Sequence, residues 1–97
     1  MIRSFADAGT EAVFNGRDSR AARRACPATF WPVARRKLDQ LNAAVSLDGL
    51  RVPPGNRLEA LRGDRRGQHS IRINDLYRVC FRWTVEGPED VEIVDYH

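Results

Sequence analysis

The first half of the chain carries the hydrophobic pattern of helices. Between Ala28 and Ala44 the apolar residues recur at spacings of 3, 1, 4 and 3, which places them on one helical face. They are Phe30, Val33, Ala34, Leu38 and Leu41. An earlier short helix is predicted to begin at a cap, Asp7 or Thr10, and to run to about Phe14. The charged stretch from Arg17 to Arg24 indicates a loop or the start of a helix.

The second half changes to the period of two that is typical of strands. Its predicted strands are a short segment flanked by Leu58 and Leu61, the segment of Ile71 and Ile73, the segment from Tyr77 to Trp83, and the segment from Val91 to Asp95. Turn residues separate them at positions 63–67, 74–75 and 86–88. Met1 to Phe5 also alternates and is predicted to form an N-terminal strand.

This order of elements predicts an α+β fold. It has an N-terminal strand, two helices and an antiparallel meander of three or four strands, with the helices on one sheet face. Ninety-seven residues leave no room for a second core, so residues 1–97 are expected to form a single domain.

The composition excludes several classes of protein. No apolar run approaches the roughly 20 residues of a membrane span, and the N-terminus lacks the apolar core of a secretory signal. The two cysteines, Cys26 and Cys80, and the two histidines, His69 and His97, have no metal-ligand spacing. We therefore expect a reduced, cytoplasmic protein that needs no metal and no cofactor.

Charge is distributed unevenly along the chain. Fifteen of the 16 basic residues are arginine, and Lys37 is the only lysine. The segment from Arg51 to Arg82 holds eight arginines against three acidic residues, whereas Trp83 to His97 holds five acidic residues and no Lys or Arg. Arginine binds phosphate with two parallel donors and stacks on bases. A polyanionic partner is one interpretation, and a solvated surface with a compositional arginine preference is the other.

Strand alternation gives the arginines a common direction. If Tyr77, Val79, Phe81 and Trp83 pack under the helices, then Arg78 and Arg82 face the opposite side, and Arg72 leaves the sheet opposite to Ile71 and Ile73. An open sheet face lined with arginine is a plausible nucleic-acid surface. Antiparallel sheets also have polar solvent faces without a function, so this alternative stays open.

Two segments resemble a known family. They are PPGNRLEALRGDRRGQHSIRINDLYRVCFRW, from Pro53 to Trp83, and the terminal VEIVDYH, from Val91 to His97. Together with IRSF at Ile2 to Phe5, they are similar to the HigB-type toxins of the RelE superfamily, which belong to type II toxin–antitoxin systems. The resemblance implies a small RelE-like, microbial-ribonuclease-like fold.

The same resemblance implies a function and partners. The family's members act as endoribonucleases that cleave mRNA on the translating ribosome and so inhibit translation and growth. The implied partners are a HigA-type helix-turn-helix antitoxin, ribosomal RNA and mRNA, with no membrane. With its antitoxin the chain is expected to form a hetero-oligomer that binds operator DNA through the antitoxin.

The resemblance also suggests site residues. The predicted catalytic residues are Arg62, Arg78, Asp95, Tyr96 and His97. The predicted RNA-binding residues are Arg65, Arg66, Arg72 and Arg82. Metal-free cleavage needs the 2′-hydroxyl in line with the phosphate, a base, an acid and cations for the extra charge. Arg62 and Arg78 would be the cations, and His97 with Asp95 would move protons. Arg62 stands where many relatives carry lysine, and a guanidinium is a poor proton donor.

Two other functions remain open. The chain could be a binding module that holds RNA or the ribosome without cutting it. It could also act chiefly as a co-repressor with a DNA-binding antitoxin. Cyclic phosphate ends on the RNA would separate catalysis from binding. A growth arrest that requires Arg78 and His97 would separate a toxin from a co-repressor.

Overall fold

The structure is a computed structural model that describes residues 1–96, so the predicted residue His97 lies outside the described part. Its helices are α1 (Ala8–Phe14), α2 (Arg20–Ala25) and α3 (Trp31–Ala43). Its strands are β1 (Glu59–Ala60), β2 (His69–Arg72), β3 (Tyr77–Thr84) and β4 (Gly87–Asp95). The strands form one antiparallel sheet in the order β1-β2-β3-β4. The predicted α+β class and the meander are confirmed.

The N-terminal helices begin at capping side chains. The Asp7 carboxylate accepts the backbone N–H of Thr10 at 2.6 Å, which confirms Asp7 as the cap of α1. Ser19 caps α2 in the same way through Ala22. Three α-helices therefore stand where the sequence predicts two. Ala22 is the one buried residue of α2, so this helix has no apolar periodicity that could reveal it.

Helix α3 covers one face of the sheet. Its buried residues Ala34, Leu38 and Leu41 belong to the predicted apolar stripe and pack in the same core as Ile71 and Phe81. Burying this stripe against the sheet is the main driving force for helix docking. Within residues 1–96, every helix falls short of the length and apolar content that crossing a bilayer requires.

The predicted N-terminal strand is reduced to a single parallel bridge between Phe5 and Val91. The Val91 N–H donates to the Ser4 carbonyl at 3.1 Å, and the Val91 carbonyl accepts from Ala6 at 2.9 Å. The cause is a bulge in β4, where the register with β3 shifts and Asp90 adopts a φ of 54°. A bulge bends its strand, so the N-terminal segment follows β4 only over a short length.

The β3–β4 hairpin is tighter than the sequence suggests. The predicted turn at 86–88 is wrong in its bounds, because Gly87 and Pro88 already belong to β4. Gly87 has a φ of 125°, and a Cβ there would collide with the Met1 carbonyl, so glycine is required. The Pro88 carbonyl accepts from Arg3 and faces away from β3. Proline has no backbone N–H, and at position 88 this absence removes no hydrogen bond between β3 and β4.

Candidate active site

The sheet has a second face that no helix covers, and we call it the open face. Its positions on the central strands are Ser70 and Arg72 on β2 and Arg78, Cys80 and Arg82 on β3, which alternate with the buried residues Ile71, Val79 and Phe81. The predicted direction of the three arginines is thus confirmed. Cys80 is fully buried on this face, with an exposed fraction of 0%.

Arg78 is the most firmly held side chain of the open face. Its Nε donates to the Ser70 hydroxyl at 2.7 Å, and Nη2 donates to the Arg57 carbonyl at 2.6 Å. Glu59 Oε1 lies 4.0 Å from Nε, and only 12% of the Arg78 side chain is exposed. A guanidinium fixed in this way keeps its orientation before any ligand arrives, as electrostatic stabilisation of a reacting phosphate requires.

Strand pairing brings these partners together. Ser70 stands opposite Glu59 on one side and Cys80 on the other, so the three side chains form a row across the open face. Arg57 is supplied by the loop before β1 and adopts a left-handed conformation, with φ 46° and ψ 55°. This conformation turns its carbonyl toward Arg78, which is the bond described above.

Tyr96 joins Arg78 from the end of β4. Its ring centroid lies 6.0 Å from the Arg78 guanidinium carbon, within range of a cation–π contact. Its hydroxyl lies 4.0 Å from Cys80 Sγ. Burial, and next the nearby Cys80, raise the pKa of Tyr96, whereas Arg65 and Arg78 lower it in part. The phenol therefore stays protonated at neutral pH and can donate a hydrogen bond or stack on a base.

The loop between β1 and β2 covers the other side of Cys80. Arg65 donates to Glu92 at 3.2 Å and to Gln68 at 3.1 Å, and the side chains of Arg65 and Glu92 are each 32% exposed. Burial is also the main cause that raises the pKa of the Cys80 thiol. The thiol is consequently un-ionised at neutral pH and unsuited to nucleophilic chemistry.

The remaining predicted arginines are less constrained. Arg72 pairs with Asp75, and Arg82 donates weakly to the Gly67 carbonyl at 3.5 Å. Arg62 and Arg66 are exposed in the β1–β2 loop. Within residues 1–96, neither of these two side chains makes a hydrogen bond or ion pair. All four arginines can meet a polyanion, but none is fixed as Arg78 is.

The structure separates the predicted catalytic residues of the chain end. Asp95 stands opposite Tyr77 on the helix side of β4 and lines a cavity of about 680 Å³ with Asp7 and Arg24. Tyr96 lies on the open face with Arg78. Arg78 and Tyr96 are therefore brought together, while Asp95 faces the other side of the sheet. The catalytic roles of all five predicted residues stay predictions: Arg62, Arg78, Asp95, Tyr96 and His97.

Sequence reasoning missed Ser70, Glu59 and Arg57. Ser70 could have been found, because it alternates with the inward residue Ile71. Glu59 could not, because its place beside Ser70 follows from the register of the sheet. Arg57 left no signal, since a non-glycine residue in the left-handed region is uncommon. No group of three or more His, Cys, Asp or Glu side chains in residues 1–96 is arranged to hold a metal ion.

Comparison with known proteins adds the family. Residues 3–97 match the model of the HigB-like toxins, described as the RelE-like toxin of the type II toxin–antitoxin system HigB. The chain belongs to this family. The resemblance seen in the sequence is thus confirmed.

Two relatives support the assignment. One relative is Toxin HigB-1 of Vibrio cholerae serotype O1 (strain ATCC 39315 / El Tor Inaba N16961), which is 45% identical over 60 residues. The aligned segment covers 62% of this chain and 63% of the relative. The other relative is an uncharacterized protein of Haemophilus influenzae (strain ATCC 51907 / DSM 11121 / KW20 / Rd), which is 37% identical over 57 residues. This aligned segment covers 59% of this chain and 56% of that protein. The chain spans less than two thirds of the length of either relative.

Proposed function

We propose that this toxin is an endoribonuclease that cleaves mRNA on the translating ribosome. The observation that carries the proposal is Arg78, a guanidinium fixed by Ser70 and Arg57 beside the Tyr96 ring. A phosphate approaching the open face would meet preoriented donors. A base next to it would find an aromatic ring on which to stack.

The chemistry uses the nucleophile that RNA carries. A base removes the proton of the 2′-hydroxyl, whose oxygen forms a bond to phosphorus, and the bond to the 5′-oxygen breaks as that oxygen gains a proton. The products are a 2′,3′-cyclic phosphate and a free 5′-hydroxyl. Arg78 stabilises the extra negative charge of the pentacoordinate phosphate. Glu59, with its carboxylate 4.0 Å from Arg78, is a candidate base beside the predicted Asp95 and His97.

Few groups on the open face can move protons, and this favours a substrate whose geometry is supplied from outside. We expect the decoding site of the ribosome to bend the mRNA into in-line geometry, while the exposed arginines Arg62 and Arg66 dock on ribosomal RNA. Such docking relies on phosphate neutralisation. The partner that restrains the toxin would be a HigA-type antitoxin, and the complex would bind operator DNA through it.

Cleavage of ribosome-bound and of free mRNA by the purified protein tests the proposal. We expect rapid cleavage on the ribosome, slow cleavage of free mRNA, and cleavage slowed by roughly 10²–10³-fold in Arg78→Lys. Arg35→Met, which removes an arginine from the exposed side of α3, is the matched control and should cleave normally. Equal rates on both substrates would contradict the dependence on the ribosome. RNA that stays intact although translation stops would favour a non-catalytic binding module.

A further inference from the structure

Asn56 is a buried polar residue behind the open face. Its exposed fraction is 0%, and it ends the short 3₁₀ turn Pro54–Asn56 in the loop before β1. Its Oδ1 accepts a hydrogen bond from Lys37 Nζ at 2.6 Å. Its Nδ2 donates to Gln40 Oε1 and to the Leu50 carbonyl, each at 3.1 Å. The amide is thus held from both ends, as burial of a polar group requires.

Helix α3 supplies two of these partners. Lys37 and Gln40 are three residues apart and therefore lie on the same side of the helix. Burial, and next the charges of Arg36 and Arg72, lower the pKa of Lys37. Lys37 is the only lysine in a chain with fifteen arginines. It stands where a compact ammonium reaches a buried acceptor that a planar guanidinium would fit poorly.

The loop passes directly from this anchor to the site. Arg57 follows Asn56 in the chain, and its left-handed conformation directs its carbonyl to Arg78 Nη2. A non-glycine residue keeps such a conformation only where the surroundings enforce it. Two contacts constrain Arg57 on its N-terminal side: the side-chain bonds that fix Asn56, and the Arg57 N–H, which donates to the Pro54 carbonyl at 3.1 Å.

We infer that Lys37 and Asn56 are positioning residues that orient the Arg78 guanidinium through the Arg57 carbonyl. The inference rests on the proposed function for its catalytic consequence, and on geometry alone for its effect on Arg78. Removing either residue should release the Arg57 carbonyl and leave Arg78 attached mainly to Ser70. A misdirected guanidinium would still attract RNA but would stabilise the reacting phosphate less well.

A double-mutant cycle tests the catalytic part. In the otherwise unchanged protein, Lys37→Met and Asn56→Ala should lower the single-turnover cleavage rate at saturating ribosomes by roughly tenfold or more. The half-saturating ribosome concentration should change little. In the Arg78→Lys background the same substitutions should have almost no further effect, because the guanidinium they act on is absent. Equal losses in both backgrounds would overturn the inference and leave a purely structural role.

Solvent exchange of the Arg78 Nη2 hydrogens, which include the donor to the Arg57 carbonyl, is followed by NMR and tests the geometric part without any activity. The signal is assigned by its disappearance in Arg78→Lys. We expect faster exchange in Lys37→Met and Asn56→Ala, and no change in Arg35→Met, which removes a charge from the exposed side of the same helix. Unchanged exchange in folded Lys37→Met would overturn the inference. A wild-type protein that cleaves nothing would reject the proposed function, and this exchange measurement would still decide the inference.

Discussion

The two faces of the sheet are both well packed, but by different means. On the helix side Ile71, Val79 and Phe81 are buried by apolar contacts with α3. On the open face Ser70 and Cys80 are just as buried, although no helix covers them. There, polar side chains from loops and from the end of β4 shield one another. The open face is therefore packed by polar side chains and differs from an ordinary solvated surface.

The largest effect we expect is on the helix side. Phe81→Ala should lower the free energy of unfolding by about 3–5 kcal/mol, because a large buried ring leaves a cavity. Arg72→Ala should cost less than about 1 kcal/mol, since its partner Asp75 is 92% exposed. Urea denaturation of both variants measures the difference. Similar losses would show that the two faces do not differ as described.

Arg78→Lys should have the next largest effect, and mainly on chemistry. The lysine keeps the positive charge but cannot donate hydrogen bonds to the Ser70 hydroxyl and the Arg57 carbonyl together, as the guanidinium does. We expect a loss of transition-state stabilisation of about 2.7–4 kcal/mol, as for an oxyanion donor. Single-turnover cleavage of ribosome-bound mRNA measures it, at a temperature where circular dichroism finds the variant folded. Cleavage at the wild-type rate would exclude Arg78 as the catalytic cation.

Tyr96 should contribute through its ring more than through its hydroxyl. Tyr96→Ala is expected to weaken ribosome-bound cleavage by about 1–3 kcal/mol, the range for a stacked base. Tyr96→Phe keeps the ring over Arg78 and should retain most of the activity. If the phenylalanine variant is as impaired as the alanine variant, the phenol proton takes part in the reaction and stacking is not the main role.

The helix side should also impose a pH dependence on stability. Burial raises the pKa of the Cys26 thiol to about 11 from an ordinary value of 9.0. The folded state thus holds its proton more tightly than the unfolded state. Its stabilising contribution is complete below the unfolded pKa and is lost as pH rises toward 11. Between pH 8.5 and 10 the contribution of Cys26 to the free energy of unfolding should fall by about 1 kcal/mol. Cys26→Ala should flatten this part of the stability curve.

The smallest effect should come from the unconstrained loop arginines. Arg66→Ala is expected to weaken ribosome binding by less than about tenfold and to lower the salt slope of binding by about one. The cleavage rate at saturating ribosomes should stay unchanged. Ribosome titrations at several salt concentrations separate the effect on binding from the effect on the cleavage rate. A large fall in the saturated rate would place Arg66 in the chemistry instead.

The fold was largely accessible from the sequence because periodicity reports burial. The stripe of α3 correctly predicted Ala34, Leu38 and Leu41 as buried, and the alternation of β3 did so for Val79 and Phe81. The other predicted members are only partly buried: Phe30, Val33, Tyr77 and Trp83. The sequence did not predict helix α2, because this helix buries little beyond Ala22. It predicted too long an N-terminal strand, because the pairing of this segment stops near Val91. A segment that buries only a few residues shows no hydrophobic period, so its secondary structure cannot be predicted in this way.

The candidate site was only partly accessible. Alternation placed Arg78 on the open face together with Arg72 and Arg82. It could not reveal the Arg57 carbonyl, because that contact depends on a rare backbone conformation set by the buried Asn56. Every residue has a backbone carbonyl, so the amino-acid type does not indicate which carbonyl accepts a side-chain hydrogen bond. Contacts of this kind follow from tertiary structure alone.

We propose that the open face cleaves ribosome-bound mRNA through the 2′-hydroxyl. The most direct measurement uses a synthetic message with a single 2′-deoxynucleotide at the mapped cleavage position, and mass analysis of the ends formed from the unmodified message. The account predicts a 2′,3′-cyclic phosphate from the unmodified message and no cut at the deoxynucleotide. Equal cleavage of both messages, or intact RNA in each, would contradict it.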